Sequence, residues 1–101
     1  MGDKEFSYEN IGDGLQLVAS AGIAEALVAT STEIRAVLVN ALPENTGNVV
    51  VGSSTVVAAY ATRRGIALVP GSSVLLRVKD LADLYVDAVV SGEGVSFVYF
   101  W

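Results

Sequence analysis

Turn sequences rich in Gly, Pro, Asn and Ser interrupt this chain every few residues from residue 33 onward, and the apolar runs between them are short. Pro43 to Gly47 and Pro70-Gly71 are the strongest of these turns, because Pro fixes φ and Gly accepts a positive φ. Short strands at a spacing of roughly 8–12 residues are typical of a β-sandwich or barrel. Connections this short leave no room for crossover helices, so the strands are expected to pair antiparallel. The pattern therefore predicts an all-β fold, a small antiparallel β-sandwich or barrel that is jelly-roll-like.

The apolar runs place strands at residues 34–42, 48–51, 56–62, 66–69, 73–78, 84–90 and 95–101. A single helical turn is expected at 80–83 and a hairpin loop at 91–94. Residues 15–29 fit two interpretations, either a helix with an apolar stripe or two strands at 15–19 and 25–30. Gly22 would weaken a helix interior by about 1 kcal/mol relative to Ala, which favours the two strands.

Residues 1–14 differ from the rest of the chain, since they contain several acidic residues and glycines but few aliphatic side chains. Such a segment is typical of an N-terminal arm or a loose tail. Phe6, Tyr8 and Ile11 are its expected apolar anchors. Two hypotheses stay open for it, a disordered tail or an arm that docks on a neighbouring molecule. The predicted organisation is an arm over 1–14 and a β-sandwich domain over 15–101.

Several of the predicted strands are apolar on both faces, although a strand with one face in water places polar residues there. In the last strand, Phe97 and Tyr99 alternate with Val98 and Phe100. Hydrophobic residues make up 52% of the chain and charged residues 17%, which is more apolar surface than a small monomer readily hides. We expect a partner to cover one face; the alternative is a tightly closed barrel with the arm folded over it. The predicted interface residues are Phe6, Tyr8, Val37, Val39, Val98 and Phe100.

Catalytic chemistry has little support in this sequence. The chain has no His and no Cys, which removes the usual general base, the thiol nucleophile and the commonest metal ligands. Asp80, Asp83 and Asp87 are close in sequence, but their spacing matches no calcium loop. Asp80 is expected to cap the helical turn instead. We therefore predict no catalytic residues, no cofactor and no metal, and a protein that is not an enzyme.

The sequence also argues against membranes and nucleic acids as partners. No window offers the ~18–20 uninterrupted apolar residues that a spanning helix needs, and residues 1–5 do not begin a signal peptide. The net charge of −5 disfavours contact with a nucleic-acid backbone, which rewards clustered Lys and Arg.

The order of turns and strands from residue 34 to residue 101 resembles small virion structural proteins of tailed bacteriophages. In that group an N-T-G turn leads into a VxVG strand, matched here by residues 45–47 and 49–52. A G-x-x-L-x-P-G-x-S turn and strand follows at 65–73, then D-L-x-x-L-Y-V at 80–86 and a terminal aromatic strand. The resemblance covers about two thirds of the chain, and its motifs are turn and core positions.

The resemblance implies a bacteriophage capsid cement or decoration protein, which stabilises the shell by oligomeric packing between capsid subunits. Its expected partners are copies of itself, as a trimer, and the major capsid protein or other virion proteins. Its expected location is the capsid surface of the virion, after synthesis in the host cytoplasm. Two alternatives stay open, a neck or tail component and a sugar-binding head-fibre or adhesin module. A sugar site would need exposed aromatic side chains, whereas Tyr85 and Trp101 are better explained as packing residues.

Overall fold

The computed structural model describes residues 10–101 of the chain. The strands within this range are β1 (Ile11–Leu17), β2 (Glu25–Ala26), β3 (Ala36–Ala41), β4 (Val49–Gly52), β5 (Ile66–Leu68), β6 (Ser73–Leu76), β7 (Tyr85–Ala88) and β8 (Gly94–Phe100). Short 3₁₀ helices at Tyr60–Thr62 and Leu81–Asp83 lie in the connections between strands.

The strands pair from the two ends of the chain inward. β1 pairs with β8, β2 with β7, β3 with β6 and β4 with β5, all antiparallel. The β3–β8 and β4–β7 ladders join these pairs into sheet A, in the order β1-β8-β3-β6, and sheet B, in the order β2-β7-β4-β5. Two four-stranded sheets connected in this way form a jelly roll. The predicted fold class, a small antiparallel β-sandwich, is confirmed.

The main core lies between the two sheets, because alternate side chains of each strand point inward. Sheet A contributes Val37, Val39 and Phe97 to it, and sheet B contributes Val49 and Val51. These strands are rich in Val, whose β-branched side chain packs well on a pleated surface. The outer faces of the two sheets differ from each other, and that difference defines the candidate site.

The helical turn predicted at 80–83 is present as the 3₁₀ helix Leu81–Asp83. Asp80 caps it as predicted, since the Asp80 carboxylate accepts a hydrogen bond from the Ala82 N–H at 2.9 Å. The alternation predicted for residues 73–78 is also observed. Val74, Leu76 and Val78 are half-buried against the core, whereas Leu75 on the other face is exposed.

The strand predicted at residues 56–62 is wrong. Only one bridge, between Val57 and Arg64, forms there, and residues 60–62 turn into a 3₁₀ helix. Side chains replace a strand partner at Ala58. Its N–H donates to the Asp87 carboxylate at 2.8 Å, and its C=O accepts from the Arg63 guanidinium at 2.9 and 3.1 Å. A backbone satisfied by side chains needs no neighbouring strand.

The hairpin predicted at residues 91–94 is also wrong, although the turn itself is present. β7 belongs to sheet B and β8 to sheet A, so the connection carries the chain from one sheet to the other. Gly92 has a φ of 87°, a conformation that favours glycine. Turn chemistry therefore predicts the position of a turn, but it does not reveal which strands become partners.

The predicted boundary between arm and domain, after residue 14, is wrong, because the domain begins earlier in the chain. Residues 11–14 belong to β1, which runs to Leu17 as an edge strand of sheet A. The predicted arm over residues 1–9, with Phe6 and Tyr8, lies outside the described residues. In the ambiguous segment 15–29 the strand interpretation is the right one, because it holds the end of β1 and all of β2 and no helix.

Candidate interaction surface

The outer face of sheet A consists of the side chains that its four strands turn away from the core. The register places Asp13, Val98, Leu38 and Leu75 in one row across β1, β8, β3 and β6. We call this surface the A face. Its members are Ile11, Asp13, Leu15, Leu17, Ala36, Leu38, Asn40, Ser73, Leu75, Ser96, Val98 and Phe100.

The exposed large side chains of the A face are aliphatic, and the most exposed lie on its two edge strands. Leu15 on β1 is 60% exposed and Leu75 on β6 is 54% exposed. Ile11, Leu17 and Leu38 are also exposed large hydrophobic residues. Burying these aliphatic side chains against a partner would gain roughly 25 cal/mol for each Å² of apolar surface removed from water. Exposed patches of this sort mark interaction sites on soluble proteins.

A shallow hollow crosses the middle of the A face. It has a volume of about 430 Å³ and lies between Leu15 on one side and Leu38 with Asn40 on the other. Its lining includes Gly14 of β1, which has no side chain, and Ser96 of β8, whose side chain is short. A polar row limits the apolar surface here, since the Ser73 hydroxyl donates to Asn40 Oδ1 at 2.8 Å. The hollow has the shape to take a protruding side chain from a partner.

Aromatic rings fix β1 to the sheet from the inner side. A Cβ placed on Gly12 would lie 2.5 Å from the Tyr99 ring, and one on Gly14 would lie 2.5 Å from the Phe97 ring. The two rings therefore occupy the space that side chains on β1 would need. Tyr99 also stacks on Trp101, with centroids 5.5 Å apart. This close fit holds the edge strand in register with β8 and presents Leu15 and its neighbours outward.

The outer face of sheet B, in contrast, is covered by the chain itself. Residues 53–65 fold back over it, so that Val56 and Ala58 bury Val50 in a second, small core. Asp87 fastens this cover from below, although it is only 1% exposed. Its carboxylate accepts hydrogen bonds from the Ala58 and Gly22 N–H groups at 2.8 and 2.9 Å. A buried carboxylate needs such donors to offset its lost hydration.

The predicted interface residues that the structure describes divide between the inner and the outer face of sheet A. Val37 and Val39 were wrongly assigned to the interface, because both are fully buried in the core between the sheets. Leu38, between them, points outward. Val98 and Phe100 lie on the A face, half-buried, and their role in an interface stays a prediction. Phe6 and Tyr8 lie outside the described residues.

Sequence reasoning missed the contribution of β1 to this surface. Ile11, Leu15 and Leu17 alternate with Gly12, Gly14 and Gln16, which is the two-residue period of a strand. The glycines obscured that pattern, since Gly is depleted in strands. The signal that could have identified β1 is the pairing of its glycines with the bulky residues of the last strand.

The acidic residues near the surface hold loops together. Glu93 accepts hydrogen bonds from the N–H groups of Gly47 and Thr46 and from the Thr46 hydroxyl. These donors, the Gly47 N–H first, lower the pKa of Glu93 below its ordinary value. Hydrogen bonds from the Ser31 hydroxyl and from the Thr32 and Ala82 N–H groups likewise lower the pKa of Asp80. Residues 10–101 contain no group of three or more acidic side chains placed to hold a metal ion.

No family model matches this chain, and its comparison with curated proteins and with solved structures gives no match. None of the helices formed by residues 10–101 has the length and apolar character required to cross a membrane.

Proposed function

We propose that this chain is a structural protein of a bacteriophage virion, which decorates the capsid and stabilises it by packing its A face against other subunits. One observation carries the proposal: sheet A leaves exposed leucines on its outer face, whereas Val50 on the outer face of sheet B is buried under residues 53–65. The partners are copies of the chain and the major capsid protein, and the place of action is the capsid surface. A neck or tail position would use the same face.

The physical basis is the burial of apolar surface on assembly. A specific and lasting protein contact buries about 1,200–2,000 Å² in total. The A face offers exposed aliphatic side chains around a central hollow that Asp13, Asn40 and Ser96 also line, and this mixture suits packing against a second protein surface. The acidic side chains of Asp80, Asp87 and Glu93 accept hydrogen bonds from backbone N–H groups of their own chain. Their role is therefore structural, which agrees with a structural protein.

The virion assignment is supported by the sequence resemblance from residue 34 to residue 101 and by the type of fold. Jelly rolls build viral capsid proteins, but they also build lectin domains, so the fold alone decides neither role. The A face favours a protein partner over a sugar. Its exposed large side chains are aliphatic, whereas sugar sites combine aromatic rings with convergent polar groups.

The test is the binding of the purified protein to capsid shells that were assembled without it. We expect wild-type protein to co-sediment with the shells and Leu75→Lys to lose most of that binding, by about tenfold or more in affinity. Val69→Lys is the matched control, because Val69 is 56% exposed but lies outside the A face. Its binding should equal that of the wild type. Equal binding of both variants would contradict docking through the A face.

A further inference from the structure

Among residues 10–101, the outer edge of β1 is open to a further strand. Asn10 and Trp101 exchange backbone hydrogen bonds at one end of the β1–β8 ladder, and the Val18 N–H donates to the Glu93 C=O at the other. The even-numbered residues of β1 therefore bond to β8, since such bonds alternate along an antiparallel pair. The N–H and C=O groups of Ile11, Asp13, Leu15 and Leu17 point to the opposite side, where the Leu17 C=O accepts a hydrogen bond from Gln16 Nε2 at 2.8 Å. No other strand within residues 10–101 pairs with that side.

β1 differs from the other edge strands in length and in protection. β2, β5 and β6 have two, three and four residues, and β6 is followed by the basic residues Arg77 and Lys79. β1 has seven residues in an unbroken register, with no Pro, Lys or Arg. Soluble proteins protect long edge strands with charges, prolines or bulges, because an open edge recruits another strand. An edge of this length, with Asp13 as its one charge and with no proline or bulge, is suited to pairing.

We propose that β1 pairs antiparallel with β1 of a second copy of this chain, about a two-fold axis at Gly14. In this register Ile11 lies opposite Leu17 of the second copy, and Asp13 lies opposite its Leu15. Asp13 and Leu15 of each strand then exchange backbone hydrogen bonds with the second copy. Ile11 pairs with Leu17, whose C=O also accepts from the Gln16 side chain. An axis at Asp13 would place two carboxylates opposite each other, which is unfavourable. An axis at Leu15 would leave Ile11 beyond the end of the partner strand.

The pairing joins two copies of sheet A into one eight-stranded sheet and their A faces into one apolar surface. It rests on the self-association that the proposed function includes, and it specifies the strand, the register and the partner. A two-fold contact of this type is self-complementary, as homodimer interfaces are. The pair, not the trimer expected from the sequence, is then the unit that binds to the shell.

Two substitutions at one position separate backbone pairing from apolar contact. Leu15→Pro removes an N–H from the open edge but none from the β8 ladder, so the fold should survive. Leu15→Thr shortens the side chain and keeps the N–H. Sedimentation across a range of concentrations should give a dimer for the wild type and for Leu15→Thr. For Leu15→Pro we expect a monomer with an unchanged circular dichroism spectrum, and a dissociation constant raised about tenfold or more.

Cysteine cross-linking tests the register, and the chain has no cysteine of its own to interfere. Residues opposite each other in a hydrogen-bonded pair lie about 5.5 Å apart between Cα atoms, which is within disulfide range. A mixture of the Asp13→Cys and Leu15→Cys variants should form a mixed disulfide dimer on mild oxidation. The control mixture, Asp13→Cys with Leu17→Cys, should form much less, because it matches only an axis at Leu15.

Several results would overturn the pairing. They are a wild-type monomer at all concentrations, a dimer that Leu15→Pro leaves intact, or efficient cross-linking in the control mixture. A monomer in which Leu15→Pro also lowers Tm would mean that another part of the same chain pairs with this edge, which equally overturns it. Failure of the proposed function is distinguishable, since it would appear as dimers that do not bind to shells.

Discussion

The outer faces of the two sheets both carry apolar side chains, but the chain covers these side chains on sheet B and leaves them exposed on sheet A. Both sheets have strands that are apolar on each side, so both have a second face that water penalises. On sheet B, Val50 is fully buried because the connection between β4 and β5 folds back over it. On sheet A, no described segment crosses the face, and Leu15 and Leu75 remain exposed. An apolar second face can therefore indicate either an internal cover or an external partner.

The two solutions respond differently to conditions. The cover of sheet B is part of the same chain, so its stabilisation is independent of protein concentration. Stabilisation of the A face by a partner follows mass action and grows with the concentration of that partner. Substitutions on sheet B should therefore change the free energy of unfolding, and those on the A face should change association.

The largest expected effect distinguishes the two faces of sheet A itself. Phe97 is 3% exposed in the core, whereas Leu38 on the adjacent strand is 38% exposed on the A face. Phe97→Ala should lower the free energy of unfolding by about 3–5 kcal/mol, because it leaves a cavity in the core. Leu38→Ala should lower it by less than about 1 kcal/mol. Chemical denaturation of both variants at a concentration where the wild type is monomeric measures the difference. Similar losses would contradict the assignment of inner and outer faces.

The second largest effect is expected when Asp87, which holds residues 53–65 against sheet B, is substituted. Asp87→Ala leaves the buried Ala58 N–H without its acceptor, and we expect a loss of about 2–3 kcal/mol. Hydrogen exchange should accelerate at Ala58 and at Gly22, whose N–H also donates to Asp87. Asp83→Ala is the control, because Asp83 is exposed and its loss should cost within about 0.5 kcal/mol. Unchanged exchange at Ala58 would show that the cover is held by its apolar contacts alone.

The local structure of this protein was accessible from its sequence, because turn chemistry acts over a few residues. Pro70-Gly71 ends β5 and Asp80 caps a helical turn, and both follow from nearest neighbours. The alternation in the last strand also places Phe97 inside and Val98 outside, as the two-residue period requires. These features depend on side chains that lie within one turn or one strand.

The strand pairing could not be predicted in the same way. β4 and β5 are the only neighbours in sequence that pair among the described strands, whereas β1 and β8 come from opposite ends. The period-two pattern divides β3 into two sets but does not say which set faces the core, so Val37 and Val39 were assigned to the wrong side. Residues 56–62 do not form the predicted strand because the Asp87 carboxylate, distant in sequence, accepts the hydrogen bond from the Ala58 N–H. Contacts between residues distant in sequence decide the strand pairing, the inward-facing side of β3 and the structure of residues 56–62.

The smallest effect is expected at Glu93, a solvent-exposed carboxylate that holds a loop in place as the buried Asp87 does. Glu93 binds the N–H groups of Thr46 and Gly47 and so ties the turn at 43–47 to the β7–β8 connection. These hydrogen bonds lower the pKa of Glu93 below its ordinary value of 4.5. A carboxyl with a lowered pKa in the folded state stabilises the fold above its ordinary pKa, and this contribution is lost as the pH falls through the lowered value.

Glu93→Gln should therefore lower Tm slightly at pH 7, and the difference from the wild type should narrow as the pH falls below 4.5. Glu44→Gln is the matched control. It removes one negative charge from the turn that Glu93 contacts, but Glu44 makes no hydrogen bond to the described residues that ties this turn to the β7–β8 connection. Its Tm at pH 7 should stay close to that of the wild type. Thermal unfolding of the three proteins between pH 7 and pH 3 measures both differences. A Glu93→Gln difference that stays constant over this range would mean that the amide loses packing and not a charge-dependent hydrogen bond, and the exposed fastener would then be independent of pH.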